Sequence, residues 1–229
     1  MATLYIIATP IGNLGDMTFR AVETLKTVDL VACEDTRQTL KLLTHFGIRA
    51  RLLSCRAGNE ASASRKVIAA LDERKTVAYC SDAGTPAISD PGAILVRSAV
   101  AAGHTVVPLP GASAFASLVS VAGGADKSVV FEGFLSPRDG RRKSRLKELL
   151  ETGFAFVLYE SPFRILKLLA NIAELEHERY ICVGREMTKV HEEYLRGSAS
   201  EITAVLEERT EARGEFSVFV SGHNPNSAN

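Results

Sequence analysis

The sequence predicts an α/β protein of two domains, the first with a mostly parallel sheet and the second with a mixed sheet. In the first half, short β-branched apolar runs alternate with helical patterns, which is typical of a parallel sheet covered by helices on both faces. Beyond the Pro-Leu-Pro-Gly segment at 108–111 this alternation changes, and two late strands bracket a helix with little room for crossovers. We therefore expect domains at 1–110 and 111–222, followed by a flexible tail at 223–229.

The elements of the first domain follow from length, β-branching and turn residues. Strands are predicted at 4–8, 30–33, 51–54, 77–80 and 105–109. Helices lie between them, and Thr18 and Asp35 are candidate N-caps of two of these helices. In the second domain we expect strands at 128–132, 154–159, 180–183, 193–195 and 215–220, and helices at 112–123, 142–150, 162–174 and 199–208.

Composition excludes several classes of protein. The 229 residues carry 27 basic and 27 acidic side chains, so a nucleic-acid partner would have to meet a local basic patch. No apolar run approaches the ~18 residues of a membrane span, and the opening MATLYIIATP is too short for a signal-peptide core. The four cysteines lack a CxxC pair and nearby histidines, which favours buried free thiols. These features predict a soluble, cytoplasmic, metal-free protein.

The segment SDAGTPAISDPG at 81–92 follows a predicted strand and precedes a helix. Its two glycines let the backbone approach a ligand closely, and it contains no lysine, histidine or phosphate-binding fingerprint. Asp90 is the expected N-cap of the next helix, with Pro91 at its first position. The same residues could equally form a tight turn without a ligand.

The loops at 9–16, 34–37, 81–91 and 110–113 all follow predicted parallel strands. They should meet at one edge of the sheet, where open α/β sheets bind ligands. Glu34 and Asp35 stand where a Rossmann-type protein carries its ribose-binding acid, so a nicotinamide-dependent oxidoreductase is an alternative. The segment TPIGNL at 9–14 contains only Gly12 of the expected glycines, which weakens that alternative and favours a ligand without phosphate.

The segment RDGRRKSRLK at 138–147 holds six basic residues against one acid. Its leucines fall on one helical face, so the charges are expected to be exposed and able to meet a phosphate backbone. A merely solvated helix face is the other interpretation, and a non-catalytic RNA-binding module is a further alternative. The candidate RNA-binding residues are Arg141, Arg142, Lys143 and Arg145.

Charged residues also follow two strands of the second half, in YESPFR at 159–164 and GREMTK at 184–189. Each is weak evidence alone. Together with the edge of the first sheet, they suggest that the two sheets turn their loop ends toward a shared cleft.

Seven motifs then occur in one characteristic order. They are TPIGNLGDMTFRA, VDLVACEDTR, SDAGTPAISDPG, VVPLPGASA, FEGFLSPRDGRRK, YESPFR and GREMTK. This order resembles the ribosomal RNA small subunit methyltransferase I family, the 2'-O-ribose methyltransferase branch of the tetrapyrrole methylase superfamily, and the resemblance covers essentially the whole chain. It implies two α/β domains with S-adenosylmethionine in the cleft between them, a homodimer, and methylation of a cytidine ribose in the decoding region of 16S rRNA.

The resemblance also implies roles for individual residues. Those expected at the cofactor are Pro10, Ile11, Gly12, Ala83, Gly84, Thr85, Ile88, Ser113, Ala114, Glu160, Met187 and Gly214. Candidates for activating the ribose hydroxyl are Glu34, Asp35, Glu186 and Lys189, with Arg37 or Arg185 anchoring a neighbouring phosphate. A tetrapyrrole methyltransferase is the alternative within the superfamily, but the basic segment and the EDTR loop favour RNA.

Two features depart from the family pattern. The segment SCRAGNE at 54–60 stands where the family usually has a histidine-rich version ending in the same Asn-Glu. Any substrate role of those histidines is therefore absent here. Many family members also carry a small helical domain beyond the last strand, near the point where this sequence stops.

Overall fold

The computed structural model describes residues 1–124, 127–209 and 214–223. The chain divides into two compact units, Met1–Ser113 and Ala114–Asn229. The predicted domain boundary at 110/111 lies three residues before this division and stays a prediction. Of the predicted tail, residues 224–229 lie outside the described residues.

The first unit is a five-stranded parallel sheet flanked by helices. Its strands are β1 (Thr3–Ile7), β2 (Leu30–Cys33), β3 (Leu52–Ser54), β4 (Val77–Cys80) and β5 (Thr105–Leu109), in the order β3-β2-β4-β1-β5. Its helices are α1 (Phe19–Thr27), α2 (Thr36–His45), α3 (Glu60–Asp72) and α4 (Ala93–Ala101). Two apolar cores cover the two faces, and β2 and β4 are buried along their whole length. The predicted parallel sheet is confirmed.

Local capping explains where two of these helices begin. The Thr18 hydroxyl accepts a hydrogen bond from the Ala21 amide at 3.2 Å, and an Asp35 carboxylate oxygen accepts one from the Arg37 amide at 2.8 Å. Each bond satisfies an amide that the first helical turn leaves without an intrahelical acceptor. Both predicted N-caps are confirmed.

The predicted start of α4 is wrong. Asp90 is not its N-cap: α4 begins at Ala93, and its N-cap is Gly92, which has a φ of 133° and no capping side chain. The cap comes from a distant residue instead. Glu60 Oε1 accepts hydrogen bonds from the amides of Gly92, Ile94 and Leu95 at 2.9, 2.9 and 3.2 Å.

The second unit carries a mixed sheet, as predicted. Its elements are α5 (Ala114–Ala122), β6 (Val129–Phe134), α6 (Asp139–Glu151), β7 (Ala155–Glu160), α7 (Ile165–Leu175), β8 (Tyr180–Arg185), β9 (Glu193–Ser198), α8 (Ala199–Glu207) and β10 (Phe216–Val220). The strand order is β6-β7-β10-β8-β9, with β6 and β7 parallel and the other neighbours antiparallel. The buried strand β10 lies at the centre of this sheet.

The expectation that the basic side chains of α6 are all exposed is wrong for Arg142, which is only 3% exposed. Its Nε donates to Asn171 Oδ1 at 2.6 Å, and its Nη2 donates to Asp139 Oδ1 at 2.6 Å. Because Asn171 belongs to α7, this buried guanidinium joins the beginning of α6 to the neighbouring helix. Arg142 therefore binds side chains of its own protein, whereas the sequence predicted a contact with an RNA phosphate.

In the part of the chain that the structure describes, no helix has both the length and the hydrophobicity to cross a bilayer. The same residues bring together no group of histidine, cysteine, aspartate and glutamate side chains that could hold a metal ion. The four cysteines are buried free thiols.

Candidate functional site

Three loops at the carboxyl edge of the first sheet are hydrogen-bonded into one surface, which we call the three-loop rim (residues 9–12, 81–92 and 110–113). Thr9 and Gly84 exchange two backbone hydrogen bonds of 2.9 Å, forming an isolated antiparallel bridge. The Thr85 hydroxyl donates to the Ala112 carbonyl at 3.2 Å, which ties in the third loop. The backbone of the rim is thus held in place before any ligand arrives.

The middle loop of the rim contains unusual backbone conformations. Ala87 and Ser89 have φ values of 66° and 64°, in the left-handed region that residues with a side chain seldom adopt. Gly84 has a φ of 78°, and a Cβ built on Gly111 would lie 3.0 Å from the Ala8 Cβ. Strained conformations of this kind persist where the surroundings enforce them and cluster at ligand sites.

Glu60 fixes the end of this loop. Its side chain is buried, with the residue 7% exposed, and one carboxylate oxygen holds three amides at the start of α4. A negative charge at a helix N-terminus is stabilised by the aligned peptide dipoles. Glu60 and Gly92 are 32 positions apart and no local sequence pattern links them, so the role of Glu60 could not be predicted from the sequence.

Three acids gather at the same edge. Burial, together with the charges of Glu34 and Asp82, raises the pKa of Asp90 to about 6, and a hydrogen bond from Ser81 acts against this shift. Burial also raises the pKa of Glu34, and Asp82 adds to that shift. These carboxylates repel one another, so the edge favours a positively charged ligand. Asp82 and Asp90 were missed as site residues, although both stand in the segment at 81–92 that the sequence analysis emphasised.

Asp35 differs from its neighbour Glu34. The Arg37 guanidinium bonds both of its carboxylate oxygens, Nε to Oδ1 at 3.1 Å and Nη2 to Oδ2 at 2.6 Å. These bonds lower the pKa of Asp35 to about 2. Asp35 therefore stays charged, caps α2 and holds Arg37, while its own amide donates to Asp82 at 2.9 Å.

An open depression of about 420 Å³ adjoins these acids. It lies where β2 and β3 end and is lined by Glu34, Asp35, Thr36, Arg37, Ser54 and Arg56. Arg56 was not among the predicted site residues. Its position beside Arg37 follows from the pairing of β2 with β3, which sequence alone does not reveal.

The residues predicted at the cofactor in the first unit all lie in the three-loop rim. They are Pro10, Ile11, Gly12, Ala83, Gly84, Thr85, Ile88 and Ser113. Ser113 ends the first unit and Ala114 begins α5 in the second. Their contact with a cofactor stays a prediction.

In the second unit, the predicted residues gather at one edge of the mixed sheet. Phe216, at the start of β10, pairs with both Glu160 and Arg185, so the ends of β7 and β8 lie beside it. Glu160 is buried and forms an ion pair with Arg164 at 2.6 Å. Gly214 has a φ of 105°, and a Cβ there would collide with the Glu186 side chain. Gly214 is thus required by the backbone as well as being a predicted cofactor residue.

Lys189 forms ion pairs with both Glu186 and Glu215. Lys189 Nζ lies 2.9 Å from Glu186 Oε1 and 2.9 Å from Glu215 Oε2. Burial acts to raise the pKa of Glu186, but the bonds from Lys189 and the Glu215 amide outweigh it, and the net pKa is lowered. Next to this cluster, Met187 is buried against Gly184, where a Cβ would lie 2.7 Å from its sulfur. Arg185 pairs with Glu193 at 3.7 Å.

Comparison with known proteins identifies the family to which a chain of this architecture belongs. Residues 3–203 match the family model described as Tetrapyrrole (Corrin/Porphyrin) Methylases. The chain belongs to the tetrapyrrole methylase family.

Two curated relatives of this tetrapyrrole methylase carry the same name. A protein of Borrelia garinii subsp. bavariensis, named Ribosomal RNA small subunit methyltransferase I, is 46% identical over 219 residues, which are 95% of this chain and 98% of the relative. A Synechocystis protein of the same name is 44% identical over 226 residues, 98% of this chain and 81% of the relative. The resemblance found in the sequence motifs is thereby confirmed.

Solved structures confirm the fold. Uroporphyrin-III C-methyltransferase from Thermus thermophilus, solved in complex with S-adenosylhomocysteine, superposes with a TM-score of 0.64. The match covers 96% of this chain and 97% of that chain at 14% sequence identity. The tetrapyrrole methylase fold is therefore shared between proteins whose sequences have diverged widely.

The raised pKa of Asp90 predicts a stability that depends on pH. Its folded pKa of about 6 lies above 3.8, the usual value of an aspartate, so the folded state binds the proton more tightly. Stability from this group is therefore present at pH 3.5 and is lost as the pH rises through 6. We expect Asp90→Asn to raise the free energy of unfolding at pH 8 by about 1 kcal/mol, allowing for solvent screening, and to change it little at pH 3.5. Urea unfolding at both pH values measures this, and a variant less stable than the wild type at pH 8 contradicts it.

Proposed function

We propose that the protein transfers a methyl group from S-adenosylmethionine to the 2'-hydroxyl of a cytidine in the decoding region of 16S rRNA. The relatives' shared name supports ribosomal RNA of the small subunit as the substrate. The observation that carries the proposal is the position of Glu34. This acid has a raised pKa and lines an open depression at the carboxyl edge of a parallel sheet. A homodimer acting in the cytoplasm belongs to the same proposal, and sedimentation of the purified protein tests the dimer.

The three-loop rim suits S-adenosylmethionine by its chemistry. The loops present backbone groups and small side chains, contain no lysine, carry the carboxylates of Asp82 and Asp90, and adjoin that of Glu34. A sulfonium and an ammonium group complement those acids, and the molecule has no phosphate that would need a cradle. When bound, it supplies a methyl group on a positively charged sulfur, which is a good leaving group. We assign its binding to Ile11, Gly12, Ala83, Gly84, Thr85 and Ile88, and keep Pro10, Ser113, Ala114, Glu160, Met187 and Gly214 as predicted contributors.

Among the predicted acids, Glu34 is the best proton acceptor for the ribose hydroxyl. A carboxylate of raised pKa takes a proton more readily than Asp35, whose pKa is about 2. In the transfer, the Glu34 carboxylate would accept the proton of the ribose hydroxyl, whose oxygen would then take the methyl group that S-adenosylmethionine supplies with its sulfur as the leaving group. Glu186 and Lys189 form an ion pair with each other, so we assign them a positioning role and not that of proton acceptor.

The basic face of α6 gives a prediction on RNA affinity. Arg141 is exposed, whereas Arg145 bonds Glu132 and Glu148 and Lys143 bonds Glu174. If Arg141 contacts an RNA phosphate, Arg141→Ser should lower the log–log salt slope of RNA binding by roughly one unit and leave the melting temperature unchanged. Arg142→Ser should instead destabilise the fold, because it leaves Asn171 and Asp139 without their buried partner. Equal salt slopes for Arg141→Ser and the wild type would mean that this face is only solvated surface.

A methyl-transfer assay separates the proposed function from its alternatives. The protein is incubated with S-adenosylmethionine carrying a tritium-labelled methyl group and with either unmethylated small ribosomal subunits, naked 16S rRNA or a uroporphyrinogen-type macrocycle. We expect label in the RNA and none in the macrocycle. Label in the macrocycle alone would support the tetrapyrrole alternative. Calorimetric binding of NAD without binding of S-adenosylmethionine would favour the oxidoreductase.

A further inference from the structure

We propose that Arg56 anchors an RNA phosphodiester next to the target nucleotide, in the depression where β2 and β3 end. This inference rests on the proposed function and adds to it a substrate-binding residue. It is carried by the position of Arg56 in the sheet, by the charge balance of the depression and by the bonds that hold its loop.

The register of the sheet sets Arg56 beside the proposed proton acceptor. Cys33 of β2 pairs with Ser54 of β3, and the Cys55 amide donates to the Cys33 carbonyl at 2.7 Å. The next residues, Glu34 and Arg56, therefore leave adjacent strands at the same edge, and both line the depression. A ribose whose hydroxyl meets Glu34 would hold its flanking phosphate within the same depression.

Charge balance makes Arg56 the cation that is free to bind an anion. Arg37, the other arginine of the depression, already bonds both carboxylate oxygens of Asp35. The side chain of Arg56 is exposed, and among the residues that the structure describes no carboxylate lies within ion-pair distance of it. A guanidinium binds phosphate oxygens through two parallel N–H groups, so a phosphodiester satisfies both its charge and its geometry.

The turn that carries Arg56 is held before RNA binds. The Asn59 side chain accepts a hydrogen bond from the Arg56 amide at 2.8 Å and donates to the Ser54 carbonyl at 3.3 Å. The Asn59 amide also donates to the Arg56 carbonyl at 2.9 Å. The backbone of Arg56 thus keeps its position at the edge of the depression, which lowers the entropy cost of binding.

The test compares Arg56→Gln with Arg51→Gln. Arg51 is exposed, immediately precedes β3 at the opposite end of the strand and does not line the depression, so its substitution removes the same charge outside the proposed site. Methyl transfer to unmethylated small subunits is measured with both variants, together with the affinity for S-adenosylmethionine and the salt dependence of RNA binding.

For Arg56→Gln we expect the KM for the RNA substrate to rise about 10- to 100-fold, the change that corresponds to loss of one hydrogen bond to a charged group. The salt slope should fall by roughly one unit. The affinity for S-adenosylmethionine should stay unchanged, and Arg56→Lys should restore part of the loss. Arg51→Gln should match the wild type in every measurement.

Two results would overturn the inference alone. They are an unchanged KM and salt slope in Arg56→Gln, and an equal rise of KM in both variants, which would indicate general electrostatic attraction. If the wild type transfers no methyl group to RNA, the proposed function and this inference fail together, so the two failures are distinguishable.

Discussion

Glu34→Gln should reduce methyl transfer about 10²–10⁴-fold while binding of S-adenosylmethionine persists, because removing a general base typically costs that factor. The amide has nearly the shape of the carboxylate but cannot take the proton of the ribose hydroxyl. In the wild type, single-turnover rates should rise with pH through the raised pKa of Glu34 and then level off. In the variant this rise should disappear.

Asp35→Asn is the matched control for Glu34→Gln. Asparagine is a good N-cap, so α2 keeps its start, and only the charge that holds Arg37 is lost. We expect this variant to retain most of its turnover. If Glu34→Gln also retains full turnover with the cofactor bound, the loop at 34–37 has a structural role only. A large loss confined to Asp35→Asn would transfer the catalytic role to Asp35.

Glu60→Ala should lower the free energy of unfolding by about 3 kcal/mol, since three amides lose their acceptor and each buried unpaired group costs about 1–3 kcal/mol. Gly92 and Leu95 are buried, so water does not readily replace the lost carboxylate there. The melting temperature should fall by about 10 °C. Because Gly92 ends the loop at 81–92, affinity for S-adenosylmethionine should fall as well.

Hydrogen exchange tests the role of Glu60 at the atoms concerned. In Glu60→Ala the amides of Gly92, Ile94 and Leu95 should lose protection, while those of β10 in the second unit should keep it. Glu60→Gln retains a carbonyl acceptor and should be clearly more stable than Glu60→Ala. Unchanged protection at the start of α4 in Glu60→Ala would show that this helix needs no cap from α3.

Features that depend on near neighbours could be predicted from the sequence. The strands β2, β4 and β5 were predicted with their observed bounds, and the N-caps Thr18 and Asp35 bond amides two or three positions away. Features that depend on distant partners could not. The cap of α4 comes from Glu60, 32 residues before Gly92, and the buried Arg142 donates to Asn171, 29 residues on.

The same distinction applies to the candidate site. Parallel strands place their loops at one edge, so the sequence could predict that Glu34 and the loop at 81–92 lie at the same edge of the sheet. The sequence could not show that Glu34 is a better proton acceptor than Asp35. The difference between their pKa values arises from burial, from the charge of Asp82 and from the side-chain geometry of Arg37. Arg56 could not be predicted as a site residue for a related reason, because the pairing of β2 with β3 brings it to the depression.

Locating the transferred methyl group tests the proposed reaction most directly. Unmethylated small ribosomal subunits are incubated with the protein and S-adenosylmethionine that carries a deuterated methyl group, and nuclease digests of the RNA are analysed by mass spectrometry. We expect the label in a single fragment of the decoding region, on the ribose of a cytidine, and no label with Glu34→Gln. Label on a base, label spread over many fragments, or RNA without label would contradict ribose methylation by this protein.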